Sequence, residues 1–315
     1  MREIGGYFNL ELPLQPKAYP QSEGIHLNTG RNALEYILRS LSVKKLWIPY
    51  FTCSVILEPL QKLGIDYSFY KINENLEIAD DIQLEEGTCL LATNYYGIKD
   101  AYMATLAEQY GKSLIVDNAQ ALYAPYLEGT NAFYSPRKFV GLPDGGIAYT
   151  MAKDFGMDLP QDISYDRCSH LLKRIDLNAE AGYADFRENS HKLVMQETSR
   201  MSKLTHALLQ AVDFAEVRRI HRENFEYLHQ ALSATNLLKF SEDFACPMVY
   251  PYYSADASLK QKLIENKIFV ATYWPNVFEW CEKDATEYKL ANGIVAIPID
   301  QRYGKQEMDY IIKQI

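Results

Sequence analysis

The residues of this chain that could do chemistry sit where apolar runs stop. Asp117 ends "SLIVD" and Gln120 follows it; Lys138 comes after "AFYSPR" and before "GLPDGG", whose Asp144, Gly145 and Gly146 make a turn; Gly30 and Arg31 open the helical stretch in "TGRNAL". A lysine amine can form a Schiff base with an aldehyde, a carboxylate can pair with a pyridinium nitrogen, and a glycine-opened helix start can hold a phosphate. Singly, each residue has an ordinary role. Lys138 alone reads as a solvated lysine, Asp117 as a strand-end cap, Gly30 and Gly145 as turn glycines, and Arg31 as an ion-pair partner for Glu35 one helical turn on. Only as an ordered set do they describe a site.

The elements that must position them alternate in the α/β manner. "LNTGRNALEYILRSL" carries Leu34, Ile37, Leu38 and Leu41 at helical spacing, with Asn28 or Thr29 as N-cap. "KLWIPY" reads as a strand, "SVILEPLQKLG" as a helix stopped by Gly64, and "DYSFYKI" as a strand. "TCLLATNYYG" reads as a buried strand running into a polar and aromatic loop, and "DAYMATLAEQYGK" as a helix. This alternation predicts an α/β fold, a mostly parallel central sheet flanked by helices, with right-handed crossovers. In such sheets the site lies at the carboxyl ends of the strands. One rim then collects Gly30 and Arg31, the Thr52 region, Asn94 with Tyr95, Asp117 with Gln120, and Lys138. An amine, a carboxylate and a phosphate-binding helix start on one rim are the parts of a pyridoxal 5'-phosphate (PLP) site.

Residues 151–200 are less regular. A long helical pattern runs from 202 to 233, and the remainder of the chain reads as a smaller α+β unit, so a large domain over 1–213 and a small C-terminal domain over 214–315 are expected. The 315 residues, 48% hydrophobic and 23% charged, suffice for two such cores. A formal net charge of -9 argues against nucleic acid or an anionic membrane as the partner and favours small soluble molecules. No apolar run approaches a membrane span, and "MREIGGYFNL" lacks the pattern of a signal peptide, so a cytoplasmic location is expected. Cys53, Cys89, Cys168, Cys246 and Cys281 contain no CxxC pair and read as thiols rather than a disulfide framework or metal site.

"TGRNAL" (29–34), "PYFTC" (49–53), "NYYG" (94–97), "VDNAQA" (116–121), Lys138 with its Asp144–Gly146 turn, and the closing "IVAIPIDQRYGKQEMDYII" stand in an order and spacing that resemble the DegT/DnrJ/StrS sugar aminotransferase family of fold-type I PLP enzymes. The resemblance extends over most of the chain. It implies that Lys138 carries the cofactor, that Asp117 meets the pyridine nitrogen, and that Gln120 lies near the phenolic oxygen. It further implies that Gly30, Arg31 and Ser135 surround the phosphate, that Phe51 and Cys53 lie against the ring, that Asn94, Tyr95 and Tyr96 border the substrate, and that the protein is a homodimer.

The chain also departs from that pattern. Arg31 stands in place of a small hydroxyl residue, so a guanidinium joins the phosphate turn. Phe133 occupies a common serine position, with Ser135 the nearest hydroxyl. Cys53 occupies the position of a stacking aromatic, which leaves that work to Phe51, Tyr95 or Tyr96. Thr198, before "SRMS" (199–202), replaces an asparagine that reaches the partner subunit's phosphate, and the family's N-terminal lid helix is not expected from the opening residues.

The resemblance implies a transaminase. Lys138, freed from the cofactor and adjusted by burial, moves a proton, while Asp117 keeps the ring nitrogen protonated. The donor is an amino acid, glutamate by resemblance, and the acceptor a keto group on a nucleotide-linked deoxy sugar used in polysaccharide or cell-surface glycan synthesis. Two alternatives stay open: other PLP chemistry of the lyase or desulfurase type, with Cys53 as its thiol, and a non-catalytic binding or regulatory protein on the same fold.

Overall fold

The computed structural model describes residues 6–13, 17–152 and 155–315, so the first five residues of "MREIGGYFNL" lie outside it. Seven strands form the main sheet: β1 (Ile25–Leu27), β2 (Lys45–Pro49), β3 (Asp66–Tyr70), β4 (Thr88–Thr93), β5 (Leu114–Asn118), β6 (Asn131–Tyr134) and β7 (Gly146–Tyr149). Their spatial order is β1-β7-β6-β5-β4-β2-β3. β2 to β6 are mutually parallel, and β7 runs against both β6 and β1. The mostly parallel sheet is therefore as expected.

Helices α1 (Gly30–Leu41), α2 (Leu57–Leu63) and α3 (Asp100–Tyr110) make crossovers. α1 begins where Thr29, in extended backbone, accepts the N–H of Asn32 on its side chain, a capping interaction worth about 1 kcal/mol. α2 stops at Gly64, whose φ of 64° suits glycine. β4 and β5 are buried throughout, because both faces of a parallel sheet are covered. Along β5, Ile115 packs with Leu34, Ile37, Leu46 and Leu91 on the α1 side, while Leu114 and Val116 face the opposite core with Met103 and Leu106. By the same alternation Asp117 lies on the α1 side.

Two expectations need correction. Residues 151–200 contain a helical hairpin, α4 (Ser169–Asp176) and α5 (Ala179–Lys192); most of its large apolar side chains face outward, so no stripe of core residues announces it. The pattern over 202–233 is two helices, α6 (Lys203–Ala211) and α7 (Phe214–Leu232), separated where Asp213 caps the second by accepting the N–H of Glu216. The C-terminal part pairs β8 (Val249–Tyr253) with β9 (Ile294–Pro298) antiparallel. Around them lie α8 (Leu259–Glu265), α9 (Val277–Trp280), α10 (Thr286–Gly293) and α11 (Lys305–Ile312). Its core, with Leu228, Tyr250 and Ile297, is continuous with the α3 side of the main sheet. All five cysteines are free thiols. Among the described residues no helix is long and apolar enough to cross a membrane.

Candidate active site

The chain leaves β2 for β3 on one side of the sheet and returns as β4 on the other, so a crevice opens beyond the carboxyl ends of β2 and β4. The predicted residues meet on that rim. The start of α1 is tied to the glycine turn: Gly145, at φ 114°, donates its N–H to the Asn28 carbonyl at 2.7 Å. A Cβ on Gly146 would stand 2.2 Å from the Thr29 carbonyl oxygen, so only glycine fits. A Cβ on Gly30 would lie 3.5 Å from that of Ser135, which places the helix start against the segment leading to Lys138. Asp144 is fully buried and binds Thr205 and, at 2.8 Å, Arg167, so it anchors the turn.

Asp117 is buried at the end of β5, one carboxylate oxygen accepting the N–H of Ala119 at 2.9 Å. Burial pushes its carboxyl above the usual carboxylate range, while the nearby Lys138 ammonium and the Ala119 N–H draw it back. Lys138 ends a single 3-10 turn, Pro136–Lys138, directly after β6. The amine was expected inside; instead the side chain is exposed at the rim, because that turn carries the chain out of the sheet.

Gln120 is buried, and its Oε1 accepts the Tyr96 N–H at 2.9 Å. Its Nε2 has no partner among the described residues, nor have Thr52 Oγ1, Thr93 Oγ1 and Tyr96 Oη. Four buried, unpartnered polar groups at the ends of β2, β4 and β5 are costly unless a polar ligand meets them.

Arg31 is not available as predicted. Its Nη1 binds both oxygens of Glu58, at 2.8 and 3.0 Å, and the Leu193 carbonyl at 3.0 Å, while Glu35 pairs with Arg39 and Lys62 instead. Arg137, which the motif reading passed over, stands beside Arg31 and has no side-chain acceptor among the described residues. Burial and the Arg31 charge beside it lower its pKa, and Asp144 offsets part of that effect. An anion there would be welcome.

The aromatic and amide positions divide. Asn94 spends its side chain on the turn, donating to Asp100 at 2.7 Å and Asn118 at 3.1 Å and accepting from Lys99 N. Tyr95 donates its hydroxyl to the Phe51 carbonyl at 2.9 Å. Phe51 is fully buried between Tyr95 and Trp274, with ring centroids at 5.4 and 5.3 Å. Of the two tyrosine hydroxyls in "NYY", that of Tyr96 is buried without a partner among the described residues. Cys53 is half-buried. Thr198 is buried with its Oγ1 unpartnered.

The sequence reading missed an arm from the C-terminal part. Trp274 packs on Phe51, Tyr273 on Tyr96, and Asn276 clamps the end of β2: its Nδ2 donates to the Thr52 carbonyl at 2.9 Å and its Oδ1 accepts the Ser54 N–H at 3.2 Å. The only signal was the string "TYWPN", an aromatic pair beside a turn.

No protein-family model matches the chain, and no curated protein sequence matches it. Solved structures do. DesV of S. venezuelae, described in complex with a ketimine intermediate, is 16% identical with a TM-score of 0.65, covering 92% of this chain and 83% of its own. The sugar aminotransferase CalS13 of Micromonospora echinospora is 15% identical at a TM-score of 0.63, covering 92% and 86%. A DegT DnrJ EryC1 StrS aminotransferase of Brucella abortus is 15% identical at 0.61, covering 92% and 84%. The chain has the fold of these aminotransferases.

Proposed function

We propose that this protein is a PLP-dependent aminotransferase of the DegT/DnrJ/StrS kind, which moves an amino group from an amino acid, glutamate by resemblance, to the keto group of a nucleotide-linked sugar. The observation that carries it is the rim itself: the buried Asp117 carboxylate, the unpartnered Nε2 of Gln120 and the Lys138 amine at the ends of adjacent strands β5 and β6. These residues fit the cofactor. The solved structures of like fold, named as sugar aminotransferases, support the substrate class.

When bound, PLP supplies an aldehyde for amines and a ring that accepts electrons. Lys138 would supply the amine that holds the aldehyde and would serve as the group that moves a proton. Asp117 holds the proton on the ring nitrogen, an interaction that also compensates its own buried charge. Gln120 donates from Nε2 to an oxygen acceptor. The start of α1, Ser135 and Arg137 hold the phosphate, with Arg137 taking the part that the motif alone assigned to Arg31. The buried, unpartnered Tyr96 hydroxyl would supply a hydrogen bond on the substrate side. The desulfurase alternative needs a cysteine on a mobile loop, whereas Cys53 lies between the two backbone groups that Asn276 clamps.

The test is an absorbance spectrum of the protein with added PLP, for wild type and Lys138→Ala, then borohydride reduction and mass analysis of the peptide containing residue 138. A visible band and a pyridoxyl adduct on Lys138, both lost in the variant and the band bleached by glutamate, are expected. No band and no adduct would reduce the likeness to one of fold; a band that glutamate leaves unchanged would favour the non-catalytic alternative.

A further inference from the structure

The carbonyl next to Lys138 is held from the far end of the chain. Gln301, in the loop after β9, donates from Nε2 to the Phe139 carbonyl at 3.1 Å. Phe139 is buried and closes the 3-10 turn that ends in Lys138, its N–H bound to the Pro136 carbonyl at 2.9 Å. Its ring stacks on the imidazole of His221 from α7, centroids 5.5 Å apart and planes at 28°. His221 is 1% exposed, and both its ring nitrogens face oxygen acceptors: Nδ1 the Pro247 carbonyl at 3.0 Å, and Nε2 the Oε1 of Gln301 at 3.2 Å. One residue beyond Pro247, Met248 donates its N–H to the Tyr96 carbonyl at 2.8 Å. One turn along α7, Asn224 Nδ2 donates to the Ile299 and Tyr303 carbonyls, each at 3.0 Å, which fixes the loop that carries Gln301. A single imidazole thus joins two sides of the candidate site, the Tyr96 loop and the Lys138 turn.

The Gln301 amide has one workable orientation. A backbone carbonyl only accepts, so Phe139 takes the NH2 end and Oε1 is left for His221, whose Nε2 must then carry a proton. The Pro247 carbonyl asks the same of Nδ1, so all of these bonds are made together only by the doubly protonated ring. Burial lowers the His221 pKa; the Pro247 bond, Asp300 and the Gln301 bond draw it back, and Arg302 opposes them. Those two charged residues lie in the Gln301 loop, while the segment before β8 contributes the Pro247 carbonyl and the Lys138 turn the Phe139 ring. When the imidazole loses a proton, one of its two acceptors faces a lone pair, and the link through Gln301 weakens.

We propose that Gln301, oriented by His221, is a positioning residue for Lys138: it fixes the Phe139 carbonyl and with it the turn that presents the amine at the rim. That role rests on the cofactor reading above, whereas the coupling itself involves this chain alone.

Hydrogen exchange read by mass spectrometry, on the full chain without cofactor, tests the coupling. Gln301→Met keeps the length of the side chain and removes both polar ends; Gln301→Glu keeps the acceptor for His221 and removes the donor. In both variants, peptides covering 136–140 should exchange about tenfold faster at pH 5.5, the loss of one hydrogen bond. Peptides covering Ser54–Ile56, elsewhere on the rim, should keep the wild-type rate. For Gln301→Met the difference should shrink at pH 8, where His221 is neutral. Binding tests the purpose. PLP engages the Lys138 amine and pyridoxamine phosphate does not, so Gln301→Met should raise the dissociation constant for PLP several-fold and leave that for pyridoxamine phosphate unchanged, whereas a general loss of structure weakens both. Wild-type exchange rates in both variants overturn the proposal, as do equal losses for the two ligands; a Gln301→Met difference of the same size at both pH values removes His221 from it. A wild type that binds neither ligand sinks the cofactor reading instead, and the exchange rates still decide whether Gln301 holds the turn.

Discussion

Gln120 holds the backbone N–H of Tyr96 on its Oε1 at 2.9 Å, and this one bond fixes which end of its amide is left over. The free Nε2 is a buried donor on the same rim as Asp117 and Lys138. Changing Gln120 to Glu keeps the acceptor that orients Tyr96 and removes the donor. PLP binding to Gln120→Glu should weaken about tenfold, the loss of one hydrogen bond of ~1.4 kcal/mol. Fluorescence titration measures it, and an unchanged dissociation constant would mean that Nε2 meets no cofactor atom.

The two arginines should separate. Arg31→Gln breaks a largely sheltered pair with Glu58 and frees the Leu193 carbonyl, so it should cost about 1–3 kcal/mol of stability in urea unfolding. Arg137→Gln should leave stability nearly unchanged and raise the dissociation constant for PLP about tenfold or more, with no change for pyridoxal, which lacks the phosphate. Equal losses for both ligands would place Arg137 away from the phosphate.

Asp117 links stability to pH. Its folded-state pKa is raised, chiefly by burial, so the folded chain holds that proton more tightly than the unfolded chain does. Stability is then lost as pH rises from the ordinary carboxylate value through the raised one, and stays lost above it. Asp117→Asn is neutral throughout. Without cofactor it should melt above wild type at pH 7 and level with it near pH 4, while binding PLP more weakly. Thermal melts at both pH values check the sign, and an equal difference at the two would contradict it.

The aromatic arm should matter for the rim more than its position in the chain implies. Asn276→Ala removes both hydrogen bonds to the end of β2 and should cost about 1–2 kcal/mol. It should also speed alkylation of Cys53, which lies between the clamped groups. Trp274→Ala, which empties a buried site against Phe51, should cost about 3–5 kcal/mol. Peptide mass mapping after iodoacetamide reads the first effect; an unchanged rate at Cys53 would show that the clamp does not restrain it.

Much of this protein is written locally. Apolar runs ending in Asp117 and before Lys138 specify buried strands, and Thr29 and Gly64 mark helix ends. Such features depend on neighbours a few residues away or on a period of two or 3.6, so the sequence alone determined that the sheet is mostly parallel and which residues follow its strands, while the spatial order of the strands came from the tertiary structure. The sequence could not determine where long side chains go. The motif pointed to Arg31 and passed over Arg137, and only the approach of Glu58 and Leu193 showed that the Arg31 guanidinium is occupied. Lys138 read as buried because its strand is buried, yet one turn of helix carries it out. The break at Asp213, the outward apolar face of α4 and α5, and the reach of Trp274 and Asn276 to the end of β2 all depend on contacts between segments distant in the chain. No local pattern records such contacts, because what selects them is the burial and pairing available once the elements have packed.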